Sequence, residues 1–494
     1  MKYILAIDQG TSSSRCILYN QDAQPVGVAQ QEFKQHYPQL GWVEHDAEEI
    51  WQSQVDVFKQ VMKEKNLKPS DIAGIGITNQ RETVVLWERK TGKPIHNAIV
   101  WQDRRTAGEC ARLKDLGYEP MIQAKTGLLF DAYFSATKIV WLLDNVEGAR
   151  AKAERGELAF GTIDSWLAWN LTQGELHITD VTNASRTLLY NIEELRWDAD
   201  LLALFDIPPS LLPIVKTSSE IYGLTQHPEI GAGMPIAAIA GDQQAALFGQ
   251  LCNQPGMAKC TYGTGCFLNM NTGNKRVASK HNLLTTIAWQ IGDEVTYALE
   301  GSVFMGGAVM QWLRDGLMVF KQASDSEALA SSVSDNGGVY FVPALTGLGA
   351  PHWDPNARGA IFGITRGTTH AHLARAALES IAFQVDELLQ TMGLDCGEAI
   401  TELRIDGGAA NNNLMVQFQA DISNINIARP DNLETTALGA AYLAGIAVGF
   451  WKLEELKQSW RINQTFTPKL PTEQVETLKH FWQKAVNRAK NWAE

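Results

Sequence analysis

The sequence predicts an α/β protein of two similar domains that face each other across a central cleft. Three observations carry this. Short apolar runs that read as buried strands alternate with helical patterns. Four of those strands stop at once in a Gly-rich turn or one bearing a carboxylate or carboxamide. The design of the N-terminal hairpin also recurs near the middle of the chain.

Ile4-Leu5-Ala6-Ile7 reads as a buried strand that stops at Asp8, and Cys16-Ile17-Leu18-Tyr19 as the strand that returns. Between them Gln9-Gly10-Thr11-Ser12-Ser13-Ser14 is a turn rich in hydroxyls. A carboxylate at the end of a buried strand suits a metal or its water shell. Backbone amides, four hydroxyls and Arg15 suit a polyphosphate. An ordinary hairpin with a polar tip fits the same residues equally well.

Gln24-Pro25-Val26-Gly27 then turns the chain into a strand at 28–33. Asp46 and Glu49 form a capping-box-like start, and Trp51, Val55, Phe58 and Met62 continue at helical spacing. A buried strand at 72–78 opens into Asn79-Gln80-Arg81-Glu82, and further strands are expected at 83–87 and 98–101. Residues 106–195 read as mainly helical, including 135–143 and 163–171, and Pro208, Pro209 and Pro213 punctuate a loop. A strand at 235–240 runs into Gly241-Asp242-Gln243-Gln244, with a helix expected from Ala245.

A connector at 249–256 leads to MAKCTYGTGCFLNMN at 257–271, a strand, a Gly-Thr-Gly turn and a strand. Its position at the start of the second half makes internal duplication the economical reading. Leu373, Ala377, Ile381, Val385 and Leu388 mark a long helix capped by Thr369. A strand at 403–406 then ends in Gly407-Gly408, a helix follows from Leu414, and 472–492 reads as a terminal amphipathic helix. The expected domains are 1–249 and 257–451, with a helical tail at 452–494.

Bulk properties agree. A chain of 494 residues is too long for one core, so two domains of roughly 200–250 residues are the default. With 45% hydrophobic and 20% charged residues the composition is that of an ordinary globular protein. The net charge of −13 argues against a nucleic-acid surface, while leaving room for a local cationic pocket. Six cysteines without CxxC spacing give neither a disulfide framework nor a zinc signature, which fits a reducing cytosol. Asp8 interrupts the N-terminal apolar run too early for a signal peptide. The nearly apolar stretch 437–451 falls short of the ~18–20 residues that span a bilayer and reads as a Gly- and Ala-rich core helix. The expectation is a cytoplasmic protein without membrane insertion.

In open α/β sheets ligands bind outside the carboxyl ends of the strands. Asp8, Asn79, Gly241-Asp242 and Asp406-Gly407-Gly408 are such ends, so one nucleotide and phosphate cleft is expected where they meet. Absences narrow the chemistry, since there is no GxxxxGK[ST], no GxGxxG after a strand, no HExxH and no GxSxG. His370 and His372 sit at a helix start and read as a surface pair, and His227 as an ordinary surface histidine.

DQGTSSSR (8–15), NQRE (79–82), AGDQQAALFGQ (240–250), TYGTGCF (261–267), VPALTGLGAPHWDP (342–355) and DGGAANNN (406–413) resemble the FGGY carbohydrate kinases, from residue 3 to about 451. The resemblance implies two actin-like, ribonuclease-H-like domains closing over ATP and a polyol. Pentulose kinases of the family carry Gln-Met-His-Gly where this chain has Gln80-Arg81-Glu82-Thr83, so the implied substrate is glycerol. The implied reaction yields sn-glycerol 3-phosphate and ADP and serves glycerol catabolism.

The resemblance also implies residue roles. Arg81, Glu82, Tyr133, Asp242 and Gln243 match the polyol positions, and Trp101 and Phe267 offer apolar contact to its carbon chain. Asp242 is the implied general base, although an Asp before a helix is also a common N-cap. Thr11, Ser12, Ser13 and Arg15 match the first phosphate loop, and Thr264, Gly307, Gln311, Gly408 and Asn412 the ATP contacts of the second half. Asp8 is implied to orient Mg²⁺, through water. A homodimer or homotetramer is expected.

One departure stands out. Some bacterial members bind a bisphosphorylated sugar with a Gly-Gly-Thr-Arg loop, but Gly231-Ala232-Gly233-Met234 lacks the Arg, which argues against fructose 1,6-bisphosphate as an effector. Two alternatives stay open: another polyol or ketose kinase of the family, and an actin-like ATPase switch. A switch would have no need of Arg81, Glu82, Tyr133 and Asp242.

Overall fold

The N-terminal hairpin is the seed of the first sheet. In the computed structural model, which describes residues 1–397, 400–457 and 460–493, the hairpin is formed by β1 (Tyr3–Gln9) and β2 (Ser13–Tyr19). The strands pair antiparallel from Ile4 with Tyr19 to Gln9 with Ser14. The strands run longer than expected, so Ser13 and Ser14 belong to β2 and the polar turn is confined to 10–12. Four more strands complete the sheet: β3 (Pro25–Glu32), β4 (Ile72–Asn79), β5 (Ser219–Leu224) and β6 (Pro235–Gly241). The spatial order is β5-β6-β4-β1-β2-β3, with β4 parallel to both β1 and β6. β1, β4 and β6 are buried on both faces, which is why they are nearly continuous apolar runs.

The second sheet is built from β7 (Ala258–Tyr262), β8 (Cys266–Gly273), β9 (Leu284–Ile291), β10 (Glu294–Val303), β11 (Glu402–Asp406), β12 (Asn426–Pro430) and β13 (Ile462–Phe466). Its order is β9-β10-β8-β7-β11-β12-β13. From β10 to β13 the pairings run antiparallel, antiparallel, parallel, parallel, antiparallel. That is the pattern of the first sheet read from β3 to β5. The echo seen between the two hairpins therefore extends over the whole sheet.

Helices cover both sheets. α1 (Ala47–Glu64) starts where the Asp46 carboxylate accepts the amides of Glu48 and Glu49, and it buries Ile50, Val55, Phe58 and Val61 against one face of the first sheet. α2 (Asp242–Gly249) follows β6 directly. In the second half α3 (His370–Cys396) and α4 (Asn413–Ser423) pack into one core with β7, β8 and β11. α5 (Thr435–Ala447) crosses back and lies on the other face of the first sheet, where Ala437, Ala441 and Ala444 meet Ile4, Ala6, Ala237 and Ala245. α6 (Thr472–Ala489) closes the chain, packing Trp482 on Phe383 with ring centroids 5.0 Å apart.

The crossing of α2 and α5 joins the two halves at backbone contact. A Cβ on Gly439 would lie 1.8 Å from the Ala245 carbonyl oxygen, and one on Gly249 2.0 Å from that of Thr435. Only glycine fits at either place. This explains the Gly/Ala composition of 437–451: the helix is buried because it is sandwiched between domains. No helix among the described residues is long and apolar enough to cross a membrane.

One expectation needs correction. The tail 452–494 is not purely helical, because β13 pairs antiparallel with β12 and extends the second sheet. The stretch 106–195 is mainly helical as expected, with short strands at Leu158–Gly161 and Ile178–Asp180 between its helices.

Candidate active site

The carboxyl ends of the central strands form the floor of the site. Register sets Asp8 beside Thr78 and Gly241 beside Asn79 in the first sheet, and Asp406 beside Thr261 in the second. The floor is braced from behind. The Asn79 and Asn183 carboxamides exchange hydrogen bonds at 2.9 and 3.1 Å, and the Gly241 amide donates to Thr182 Oγ1 at 2.8 Å. Gln80 Nε2 donates to Gln9 Oε1 and to the Gly10 carbonyl, both at 3.1 Å, holding the hydroxyl turn against the end of β4.

The expected polyol residues converge. Arg81 Nε lies 3.2 Å from Asp242 Oδ1 and 3.8 Å from Glu82 Oε1, and Arg81 Nη2 donates to the Tyr133 hydroxyl at 3.3 Å. Trp101 meets Tyr133 at 5.5 Å and Phe267 at 6.2 Å between ring centroids, both edge to face. Trp101 and Tyr133 come from the first half and Phe267 from β8, so both domains wall the same space. The Trp101 Nε1–H donates to Thr11 Oγ1 at 2.9 Å, tying this wall to the hydroxyl turn.

Local structure explains how these side chains are held. Glu82 has φ +59°, in the left-handed region that costs a non-glycine residue roughly 1–3 kcal/mol, a strain concentrated where the chain leaves β4. Tyr133 is presented by a loop whose carbonyls are gathered by one buried ammonium: Lys138 Nζ donates to the carbonyls of Ala132, Tyr133 and Phe134, each at 2.7 Å. Burial pulls Lys138 down to about 8, against the nearby Glu82. Asp242 is not an N-cap. Gly241 occupies that position, Asp242 is the first helical residue, and its Oδ1 accepts the adjacent Gln243 amide at 2.7 Å beside Arg81 Nε.

Burial dominates the electrostatics. It raises Asp242 above the ordinary carboxylate range against the opposing pull of Arg81 and Lys259, and it raises Glu82 against Arg81 and Arg186. Burial would lower Arg81, but Glu300, Tyr133, Glu82 and Asp242 outweigh it and hold the guanidinium charged. Asp8 is pushed by burial up to about 7, with Arg15 opposing and Glu434 and Asp242 adding to the rise. A carboxylate so short of cationic partners is suited to a divalent ion. No group of three or more metal-ligating side chains occurs among the described residues, so such an ion would take most of its ligands from water and phosphate.

The residues expected on the phosphate side form two groups. In the first, Thr11 and Ser12 lie in the turn, whereas Ser13 is buried in β2 with its hydroxyl accepting from Gln30 Nε2 at 3.0 Å, and Arg15 is ion-paired with Glu434 at the start of α5. In the second, the loop 263–265 is bound to the following helix start, where the Gly307 amide donates to the Gly263 carbonyl and the Gly306 amide to the Thr264 carbonyl, each at 2.8 Å. Gln311 lies one turn on, its amide donating to the Gly307 carbonyl at 3.2 Å. Gly407, at φ +86°, turns the chain out of β11 toward Gly408, and Asn412 uses its Oδ1 to cap α4 by accepting the Met415 amide at 3.0 Å.

Sequence reasoning missed five buried polar residues here: Arg186, Gln244, Lys259, Asn269 and Glu300. Lys259 Nζ donates to Gln243 Oε1 at 2.5 Å and Thr261 Oγ1 at 2.9 Å, while Gln244 Oε1 accepts from Arg81 Nη1 at 3.1 Å. A signal was present for two of them. Lys259 is the one charge of its strand and Glu300 lies in the buried stretch 297–303 of its own, and a charge so placed has a cost that demands a partner.

Comparison with known proteins shows the family. Residues 3–249 match the N-terminal domain, and 258–448 the C-terminal domain, of the FGGY family of carbohydrate kinases. The chain is 60% identical over 494 residues to a glycerol kinase of Burkholderia ambifaria, covering 100% of this chain and 99% of that protein. It is 59% identical to one of Paraburkholderia phytofirmans with the same coverage. Among solved structures it is similar to Plasmodium falciparum glycerol kinase with ADP, at a TM-score of 0.92 and 39% identity over 99% of this chain and 98% of that one. A ligand-bound xylulose kinase of Lactobacillus acidophilus shares the fold at a TM-score of 0.88 and 22% identity, over 99% of this chain and 98% of that one.

Proposed function

This chain belongs to the FGGY family of carbohydrate kinases, and on that footing we propose that it transfers the γ-phosphoryl group of ATP to glycerol, giving sn-glycerol 3-phosphate and ADP. The observation that carries the choice of substrate class is the pairing of Arg81 with Asp242 at the end of the first sheet, under the Trp101, Tyr133 and Phe267 wall. That space offers a donor and two carboxylates for adjacent hydroxyls, and an apolar face for a short carbon chain. The full-length identity to glycerol kinases supports glycerol over a pentulose.

Asp242 is the general base. Its Oδ1 is oriented by the Gln243 amide and Arg81, and its Oδ2 receives no hydrogen bond from the described residues, leaving that oxygen to take the proton of a primary hydroxyl. As the proton leaves, the alcohol oxygen attacks the γ-phosphorus in line and the bond to the β,γ-bridging oxygen breaks, releasing ADP. Arg81, Glu82, Tyr133 and Gln243 hold the hydroxyls, and Trp101 and Phe267 exclude water from the carbon chain. Thr11, Ser12, Ser13 and Arg15 form one side of the phosphate site, and Thr264, Gly307, Gln311, Gly408 and Asn412 the nucleotide side. Arg15 meets Glu434 through Nη1, so the same guanidinium links the two halves beside the proposed phosphate site.

Asp8 would hold Mg²⁺ through water. Bound there, the ion would neutralise charge on the ATP phosphates. The enzyme acts in the cytoplasm as a homo-oligomer, dimer or tetramer. A coupled ADP-release assay across polyols and ketoses, with and without Mg²⁺, tests the reading. Turnover that depends on glycerol is expected, and ATP hydrolysis indifferent to every polyol would replace it with the ATPase-switch reading.

A further inference from the structure

The polyol end of the cleft is backed by a buried ionic network whose centre, Glu300, has no part in the proposed reaction and comes from the second domain. Glu300 sits in β10 between Leu299 and Gly301 with its side chain 0% exposed. Its carboxylate receives four hydrogen bonds from the described residues. Oε1 accepts from Arg81 Nη2 at 3.1 Å and Arg186 Nη2 at 2.8 Å, while Oε2 accepts from Arg81 Nη1 at 2.6 Å and Asn269 Nδ2 at 2.9 Å. Arg186 Nε in turn donates to Glu82 Oε1 at 2.6 Å. Burial works against ionisation of Glu300, but Arg186 and Arg81 outweigh it and hold the group down at about 2.

We propose that Glu300 is a positioning residue for the polyol site: it clamps the Nη1/Nη2 fork of Arg81 and, through Arg186, sets the carboxylate of Glu82. The inference rests on the polyol-kinase reading and deepens it, because the first domain's substrate groups are oriented by a charge from the second.

The geometry leaves Arg81 two choices of fork partner. Its Nε edge already lies 3.2 Å from Asp242 Oδ1. A guanidinium forms its best contact with a carboxylate through two parallel N–H groups. With Glu300 present, that fork is spent on a residue away from the reaction and only the Nε edge faces Asp242. Without it, Asp242 is the nearest carboxylate for Arg81 to engage, which would draw the guanidinium away from the polyol hydroxyls. Arg186 would likewise lose the anchor that aims it at Glu82. The device also makes the polyol site depend on the packing of the two sheets, since β10 must be seated before Arg81 is aligned.

The test is steady-state kinetics of the full chain with glycerol and ATP varied separately, beside thermal unfolding. Glu300→Gln keeps the shape and removes the charge, and truncating one partner of a buried hydrogen-bonded charge pair is expected to raise KM for glycerol on the order of 30-fold or more. KM for ATP should stay within about twofold, since no nucleotide-side residue touches Glu300. Glu300→Asp restores the charge and should recover part of the loss. A lower melting temperature with both KM values unchanged would mean that Glu300 is only structural and would overturn the proposal. If Glu300→Gln does not fold, Asn269→Ala removes one neutral donor to the same carboxylate. A rise in KM for glycerol alone supports the proposal, and an unchanged KM overturns it. Wild-type protein in the same assay separates the two readings. Absence of glycerol-dependent ADP release there would remove the kinase reading itself, whereas an active wild type with insensitive variants would remove only the role of Glu300.

Discussion

Replacing Asp242 by Asn tests the chemistry most directly, because the structure limits what the change can disturb. The carboxamide keeps the shape and retains an oxygen to accept the Gln243 amide at 2.7 Å, so the start of α2 is preserved. What disappears is one negative charge 3.2 Å from Arg81 Nε, and the ability to take a proton. Two unit charges at that separation interact by about 5 kcal/mol at an effective dielectric near 20. Little of this becomes folding stability, because Asp242 is 30% exposed and Arg81 stays forked on Glu300. With Asp242 raised by its surroundings, its ionised form gains no net folding stability, and the variant's stability is expected to stay within ~1 kcal/mol of wild type.

The loss of the base is larger. General-base catalysis is worth about 10²–10⁴ in rate, or roughly 3–5 kcal/mol of barrier. The expected result is a kcat lowered by that factor, with ATP affinity by calorimetry unchanged. The pH profile adds a second reading. Burial raises Asp242 above its ordinary 3.8, so wild-type kcat should be lost as pH falls through that raised value, the base being active only when ionised. The Asn variant should lack this acid limb. A variant turning over within tenfold of wild type, or keeping the same acid limb, would refute the assignment.

Three further outcomes are expected. Arg81→Ala should raise KM for glycerol and leave ATP binding intact. It also strips Glu300 of one of its two arginines, so unfolding should cost about 3 kcal/mol less in denaturant titrations. Trp101→Phe keeps the apolar wall but removes the 2.9 Å bond to Thr11, worth about 1 kcal/mol, so kcat/KM should fall about fivefold, and no change would show that this bond does not position the phosphate turn. Gly439→Ala places a Cβ 1.8 Å from the Ala245 carbonyl oxygen, so the α2–α5 crossing must open at a cost of at least about 1–3 kcal/mol, and a melting temperature equal to wild type would contradict the close crossing.

Much of this protein is legible in its residues because the informative features are local. A strand that is buried on both faces must be an apolar run, so the strands ending at Asp8, Asn79 and Gly241 stand out wherever they lie in space. Turns that need glycine or hydroxyls are equally local, which is why the hairpins at 3–19 and 258–273 reveal the duplication. The residues proposed for the polyol stand out only as members of distinctive blocks, since Arg81-Glu82 in isolation is an ordinary ion pair and Asp242 an ordinary helix start.

Tertiary structure alone decided the rest, because it depends on pairs far apart in the chain. Glu300 acquires meaning only when β10 is seated 219 positions from Arg81, and the buried Lys259 only when its ammonium meets Gln243. The Gly/Ala stretch at 437–451 could announce that it is buried, but not that the backbone of α2 is what it is buried against. The tail gave no periodic signal for β13, since that strand lies at a sheet edge with four of its five residues exposed and one face carries no apolar pattern. Burial pattern is written residue by residue, whereas the partner of a buried charge is chosen by the fold.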